Sequence, residues 1–320
     1  MHSIFKNMCY LKCLIFLLIS VDSLATDYLK YIKSVGMSAN NPSIDTEYTA
    51  KINSSSKDIR FQSNTSGGYR YFLGTSYLDL SFSVKNNYES EVPQSSYNDF
   101  YLRSRFSNFE IVIHQGNFVG GNISEGPLTE DDVFYDDYSV SKSHLRGSYY
   151  SIKNFASIYR RPKKISSLVA TESKKYFSSW ITSLGYEASV TNFPAMNSTE
   201  QKSVFKMNDT FDMFQSLENQ TIFSSLGYAG IYSFTESFSF SFRLSIGWGL
   251  QNSEYFINNQ QYEDDNISNY NDLDIGINYL INNKHNLAVL ADNYSQTTNI
   301  SNTTVRNSVS QIALMYQYFL

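Results

Sequence analysis

Several charged residues of this chain stand two apart or alone in stretches where every second residue is apolar. Arg103 and Arg105 form one such pair, Asp272 and Asp274 another, and Asp79, Glu110 and Arg243 occupy similar positions. A spacing of two puts both members on the same face of a β-strand. Such groups either meet partners of opposite sign on a neighbouring strand or face water as an ordinary polar surface. His114 lies four residues from Glu110, hence on the same strand face, and a His beside a carboxylate is the start of general acid–base chemistry. Serine is too abundant for any Ser–His pair to be informative, and a hydrogen-bonded His on a polar face is the simpler reading. A second group, "EDDVFYDDY", gathers Glu130, Asp131, Asp132, Asp136 and Asp137 in what reads as a loop. Clustered oxygen ligands of this kind suit Ca²⁺, although solvated acidic loops are more common. "EDD" at 263–265 reads the same way. "RRPKK", from Arg160 to Lys164, is the strongest basic run and reads as a solvated turn or a contact with anionic lipid head groups. No phosphate-cradling glycine loop, zinc motif or dinucleotide fingerprint occurs, so no cofactor is implied.

The elements that must position these residues are strands. In "FSFSFRLSIGWGL", Phe238, Phe240, Phe242, Leu244, Ile246, Trp248 and Leu250 alternate with Ser239, Ser241, Arg243, Ser245, Gly247 and Gly249. Leu78, Leu80, Phe82 and Val84 alternate with Asp79, Ser81, Ser83 and Lys85. Phe100, Leu102 and Phe106 oppose Asp99, Tyr101, Arg103 and Arg105. Leu273, Ile275, Ile277 and Tyr279 oppose Asp272, Asp274, Gly276 and Asn278. Twelve such segments are predicted: 36–47, 58–72, 76–86, 98–106, 109–118, 143–158, 175–191, 221–234, 237–250, 269–281, 285–296 and 305–320. Many exceed the ~5–6 residues usual in globular sheets and match the ~9–11 that cross a bilayer at a tilt. The expected connections alternate between short and long. The long ones fall at 48–57, 87–97, 119–142, 192–220, 251–268 and 297–304, and the link from Tyr159 to about Lys174 departs from the pattern. This alternation is that of up-and-down outer-membrane barrels, whose periplasmic turns are short and outward loops long.

Composition agrees with this reading. The 320 residues include 26 Tyr and 23 Phe, and 17% are charged, against ~25% in average soluble domains. A net charge of −5 gives no reason to expect a nucleic-acid surface. Asn-x-Ser/Thr triplets recur, but chance produces them in a chain so rich in Asn, Ser and Thr. Residues 1–25 read as a secretory signal, with Lys6 and Lys12 before the apolar "CLIFLLIS" and a small-x-small "SLA" ending at Ala25. Both cysteines, Cys9 and Cys13, fall within it, which leaves 26–320 as a single cysteine-free domain. The last segment, "QIALMYQYFL", alternates to the end with Phe319 penultimate, as in strands read by the barrel-assembly machinery of outer membranes.

Several pieces in order, "TDYLKYIKSV", "RFQSNTSGGYRYFLGTSYLDLSFSV", "YNDFYLRSRFSNFEIVIHQGNFVGG", "LRGSYYSIKNFASIY" and "ESKKYFSSWITSLGYEASV", resemble the bacterial proteins grouped as domain of unknown function 4421. That resemblance implies an outer-membrane barrel of a Gram-negative bacterium without an assigned activity. The sequence thus leads to an all-β, single up-and-down antiparallel transmembrane barrel of about twelve strands, with ten or fourteen as the alternatives. Its expected partners are outer-membrane lipid and the assembly machinery, not nucleic acid. Three functional classes follow: a passive pore or purely structural barrel, a surface-recognition protein acting through long loops, and a rim-located hydrolase. Which applies turns on whether Asp79, Glu110, Asp272 and Asp274 pair with Arg103, Arg105 and Arg243 and fill the bore.

Overall fold

Period-two alternation becomes one antiparallel sheet that closes on itself. The computed structural model describes residues 32–320 apart from 53–54, 64–66, 86–94, 125–132, 172–175, 196–213 and 301–302. Residues 1–25, expected as a secretory signal, and Glu130, Asp131 and Asp132 lie outside the described residues. In chain order the strands are β1 (Ile32–Ile52), β2 (Ser55–Gln62), β3 (Gly68–Thr75), β4 (Leu78–Lys85), β5 (Ser96–Phe106), β6 (Phe109–Ser124) and β7 (Phe134–Tyr150). Two helices, α1 (Phe155–Ile158) and α2 (Pro162–Thr171), then precede β8 (Tyr176–Asn192), β9 (Ser216–Ser233), β10 (Phe238–Ile257), β11 (Gln260–Asn282), β12 (His285–Ile300) and β13 (Thr303–Phe319). Each strand from β6 to β13 pairs with the next, and β13 closes the ring on β1 through 17 residue pairs, Ser34↔Phe319 to Ala50↔Thr303.

The expected count of twelve holds around one end of the ring, and the thirteenth strand is the product of a break. β2 and β3 both run antiparallel to β1, β2 along Asp45–Ile52 and β3 along Ile32–Asn40. They are one strand interrupted around Gly67, whose φ of +78° is open to glycine at no steric cost. On its far side β3 pairs with β4, whereas β2 pairs directly with β6 through Arg60–Gln62. The β4–β5 hairpin is therefore a wedge. At its height the wall has twelve strands, β1 and β3–β13; above it β1, β2 and β6–β13 make ten. β6 changes partner from β5 to β2 at a bulge between Val119 and Gly121. A Cβ on Gly121 would stand 2.7 Å from the Tyr138 ring and 2.9 Å from the Gln62 carbonyl, so only glycine fits the crossing.

The turns at one end are short: Ser76–Tyr77, Ser107–Asn108, 234–237 and Asn283–Lys284, with Ile32 and Phe319 at the same end. The opposite end differs from expectation. Much of what reads as loop is strand: β10 runs on to Ile257 and β11 begins at Gln260, so 251–268 is a hairpin rather than a long loop. Its two turn residues, Asn258 and Asn259, have φ of 52° and 62°, the left-handed pair of a tight hairpin turn, for which Asn is well suited. On one side the hairpin outruns its neighbour, since β12 first meets β11 at Asn269, whereas on the other β9 stays paired with β10 up to Phe256↔Ser216. Glu263–Asp265 lie in this strand, and Asp136 and Asp137 lie in β7, not in loops.

Side-chain direction follows the sheet. Along β10, Leu244, Ile246, Trp248 and Leu250 point outward, Leu250 at 75% exposure, while Arg243, Ser245, Gly247, Gly249 and Gln251 are buried inside. Exposed Leu184, Ile222, Leu226, Leu273, Ile277, Ile312 and Leu314 continue the belt on the other strands. Near the short turns it ends in a ring of exposed aromatics that includes Tyr77, Phe106, Phe109, Tyr149, Tyr176, Phe234 and Tyr279. From Phe238 to Trp248 is ten residues, roughly 33 Å of strand at about 3.3 Å each. A tilt of about 40° turns that into about 25 Å of height, the thickness of an outer-membrane apolar band.

Candidate functional site

The lumen is the site, and it is built in layers. In the middle layer Glu110 of β6 is fully buried and surrounded by four arginines. Arg243 Nη1 donates to Glu110 Oε1 at 3.0 Å and Arg105 Nε to Oε2 at 3.4 Å, while Arg103 Nε lies 3.5 Å from Oε2 and Arg146 Nη2 3.8 Å from Oε1. The surplus cations continue outward to further carboxylates. Arg243 Nη2 reaches Asp272 at 2.8 Å and Asp274 at 2.9 Å. Arg146 Nη1 donates to Asp272 at 2.5 Å and to the Tyr270 hydroxyl at 2.9 Å. Arg105 Nη1 donates to Asp79 at 2.6 Å. Two neighbouring groups flank this network. Asp99 accepts from Arg70 and, at 2.5 Å, from the Tyr97 hydroxyl, and it faces His114 Nε2 at 3.3 Å. Glu187 lies 3.2 Å from Lys142 Nζ and 3.5 Å from His144 Nδ1, and accepts from the Tyr294 hydroxyl.

All seven charged residues singled out in the sequence thus line the lumen, and the structure joins them in one network. Burial of this many charges is tolerated because each side chain has an opposite partner; removing one leaves its neighbours buried without it. The network also contains Arg146, Asp292, Arg160 and Arg161, which sequence reasoning did not place. Arg146 has the same period-two signal on β7. It is obscured because the predicted strand 143–158 overruns the true end at Tyr150, and residues 155–158 are helical instead.

The connection from β7 to β8 is a plug, which corrects the reading of "RRPKK" as a solvated or lipid-facing turn. Phe155, Ala156 and Tyr159 are fully buried and, with Ile165, pack on Tyr150, Ile181, Ala229 and Ile231 of the lumen wall. That apolar contact turns α1 and α2 inward. Arg160 then reaches across to Asp292 of β12 at 2.9 Å and to the Ile275 carbonyl at 3.1 Å. Arg161 donates to the Ser76 carbonyl at 2.5 Å and to Asp79 at 3.2 Å. The helix-bearing link is therefore tied to β4, β11 and β12.

At the other end the lumen is dry and apolar. Ile44 and Tyr48 of β1, Phe61 of β2, Tyr138 of β7, Phe193 after β8, Phe214 before β9 and Val305 of β13 form one cluster. Tyr48 contacts Phe193 and Phe214, each with ring centroids 5.5 Å apart, and Phe61 stacks on Tyr138 at 5.3 Å. Contacts from β1 to the ends of β8 and β9 cross the bore. Between this cluster and the charges lies a hydrogen-bonded layer in which Gln251 Nε2 lies 2.8–2.9 Å from Asn219 Oδ1, Ser253 Oγ and Thr298 Oγ1. A ring of ten strands is only slightly wider than the eight-stranded ring that side chains fill outright, and here aromatic side chains fill it.

Of the acidic cluster, Asp136 and Asp137 lie among the described residues. Both are exposed on β7, where Asp137 accepts from the Ala195 amide at 3.0 Å. Among the described residues no group of three His, Cys, Asp or Glu is placed to hold a metal ion. His114 and His144 are both lumen residues, separated from the loop-end rim by the apolar cluster.

No protein-family model matches the chain. No curated protein matches it. Among solved structures it is similar to the outer membrane protease OmpT from Escherichia coli, at 10% identity and a TM-score of 0.43, covering 90% of this chain and 97% of that one. It is also similar to the translocator domain of autotransporter NalP from Neisseria meningitidis, at 9% identity and 0.38, over 97% and 96% of the two chains. An outer membrane channel from Pseudomonas putida F1 gives 13% identity and 0.37, over 90% and 95%.

Proposed function

We propose that this protein is an outer-membrane β-barrel whose lumen is closed to through-passage, held in the bilayer by its lower belt and acting from its ends. The filled bore carries this reading: an apolar cluster spans the loop end, ion pairs cross the middle, and α1 and α2 occupy part of the turn end. The belt of exposed Leu, Ile and Trp and its aromatic ring support insertion in a bilayer. The signal-like residues 1–25 and the alternating last strand support export and assembly by the barrel machinery. With both ends of the described chain at the short-turn end, that end faces the periplasm and the β10–β11 hairpin projects outward. Of the two forms of the leading class, the structural barrel fits a filled lumen and the pore does not.

Single-channel recording after reconstitution into planar bilayers tests this. The expected trace is flat; regular conductance steps from the intact protein would overturn the closed-lumen reading. A surface-recognition role is the second reading, favoured by the long β10–β11 hairpin, whose β11 strand carries Glu263, Asp264 and Asp265 above the last pairing with β12. It requires binding to a surface that is lost when 252–266 is shortened while the barrel stays folded.

A further inference from the structure

Beside α1 and α2 the lumen is not full. A cavity of about 630 Å³ runs from Tyr270 and His144 down to the turn end, where exposed Lys33, Lys163, Lys164 and Leu320 form its rim. The size is within the range of small-ligand pockets. Eleven Lys and Arg side chains line it against five Asp and Glu; Glu110 and Asp99, just behind the wall, leave the excess at four. Apolar side chains supply the rest of the surface: Phe72 of β3, Leu290 of β12, and Val309, Ala313 and Met315 of β13.

The lining also has unused donors. Arg160 Nε, Asn278 Nδ2 and Gln311 Nε2 are buried and have no hydrogen-bond partner within the protein, and Arg103 Nε has no hydrogen bond and only the distant Glu110 Oε2, 3.5 Å away, as its counter-charge. Asn278 is 1% exposed, and the Arg103 and Arg160 side chains are 10% and 9% exposed. Two acceptors in the lining also lack a hydrogen bond, but each faces a cation: Asp274 Oδ2 lies 2.9 Å from Arg243 and Glu187 Oε1 3.2 Å from Lys142. The shortage is therefore of acceptors. Buried polar groups are almost always satisfied in folded proteins, and a set of orphan donors around one void points to a missing acceptor. We infer that the turn-end cavity binds an anionic amphiphile, a carboxylate or phosphate monoester on a short hydrocarbon chain. Its head is taken by the arginine-rich wall at Arg103 and Arg160, and its chain lies along Leu290, Ala313 and Met315. Lys33, Lys163 and Lys164 at the mouth draw the anion in. The inference rests on the closed-lumen reading, since a blind pocket needs the floor that the ion-pair layer provides.

Titration calorimetry on the full chain in nanodiscs, with empty nanodiscs subtracted, tests it using hexyl phosphate, hexanoate, inorganic phosphate and hexanol. Hexyl phosphate and hexanoate should bind saturably at one site, inorganic phosphate at least tenfold more weakly than hexyl phosphate, and hexanol not at all. Arg103→Gln should weaken hexyl phosphate at least tenfold, and Ala313→Trp, which fills the void without touching a charge, should abolish binding. Both variants are first checked for the gel shift on heating that marks a folded barrel. If Arg103→Gln does not fold, Ala313→Trp alone decides. No saturable binding of either anion, unchanged affinity in Ala313→Trp, or equal affinity for inorganic phosphate would each overturn the inference. Conductance reads the closed lumen separately, so failure of one does not imitate failure of the other.

Discussion

The two halves of this barrel wall have opposite polarity, although they share the same strands. Near the turns, β1 turns Val35 and Met37 outward and Ser34, Ser38 and Asn40 inward. Farther up the same strand Asp45 and Glu47 point outward, and Ile44 and Tyr48 are completely buried inside. β13 repeats the inversion on the other side of the seam, with Leu314 and Ile312 outward below and Arg306 outward above, opposite a buried Val305. The lower half is apolar outside and charged inside; the upper half is built like a water-soluble barrel around an apolar core. Backbone hydrogen bonding is continuous through both and is indifferent to the change. What differs is the solvent outside the wall, and side chains sort by that solvent: hydrocarbon below, water above.

The sharpest way to break this contrast is to remove the anion at the centre of the lower lumen. Glu110→Ala strands four arginines without their shared partner and should cost about 4 kcal/mol of stability, the usual scale for breaking a buried ion cluster. The urea midpoint in a fixed detergent reads it, and a midpoint close to that of the native chain would deny the charged layer its structural role. In the upper half the equivalent wound is an emptied apolar site. Phe61→Ala should cost about 3 kcal/mol through lost contacts with Tyr138 and Phe193, measured in the same way. Exchanges on the outer wall separate the halves more cleanly. Leu244→Arg, on the belt, should cost about 2 kcal/mol in lipid vesicles, whereas Arg306→Gln, on the upper wall, should change stability by less than about 0.5 kcal/mol. Equal effects would mean that both heights meet the same solvent. The most local expected change is at the outer tip. Asn259→Val forces a β-branched residue into the left-handed region and should cost about 1 kcal/mol locally, seen as faster proteolysis of the β10–β11 hairpin with no change in the urea midpoint.

This inversion also explains what the sequence could and could not convey. Where lipid lies outside, one face of every strand is apolar, and period-two alternation marks Leu78–Phe82, Phe238–Leu250 and Leu273–Tyr279 along with the inward charges. Beyond the bilayer, Gln251–Ser268 is mostly polar and its apolar run, Tyr255, Phe256 and Ile257, does not alternate, so strand and loop look alike; only the Asn258–Asn259 pair signals the hairpin. Inward aromatics at Tyr48, Phe61 and Tyr138 go unrecognised because a polar lumen is the expectation for a membrane barrel. The alternation of Ile44, Thr46 and Tyr48 with Asp45 and Glu47 does carry their signal, read with its sense reversed. The wedge is written in two Gly-Gly pairs, Gly67–Gly68 and Gly120–Gly121, at the break and at the bulge. The plug declares itself only as an anomaly, a long link where a short turn belongs. Its inward turn depends on Phe155 and Tyr159 finding Ile181 and Ile231, a tertiary contact that no local pattern encodes.

The seam has a kinetic consequence. Almost every pairing in this sheet joins neighbours in the chain and can form as a hairpin, but β1 and β13 meet across nearly its whole length. Closure of that loop carries the largest entropic barrier and belongs late in folding. Until then two long strand edges are open to intermolecular pairing. The same event brings Ile44 and Tyr48 together with Ile300 and Val305, which β12 and β13 contribute to the apolar cluster. Ring closure and core formation at the loop end are thus a single step. An unclosed intermediate lacks both the seam and the packing that would hold it.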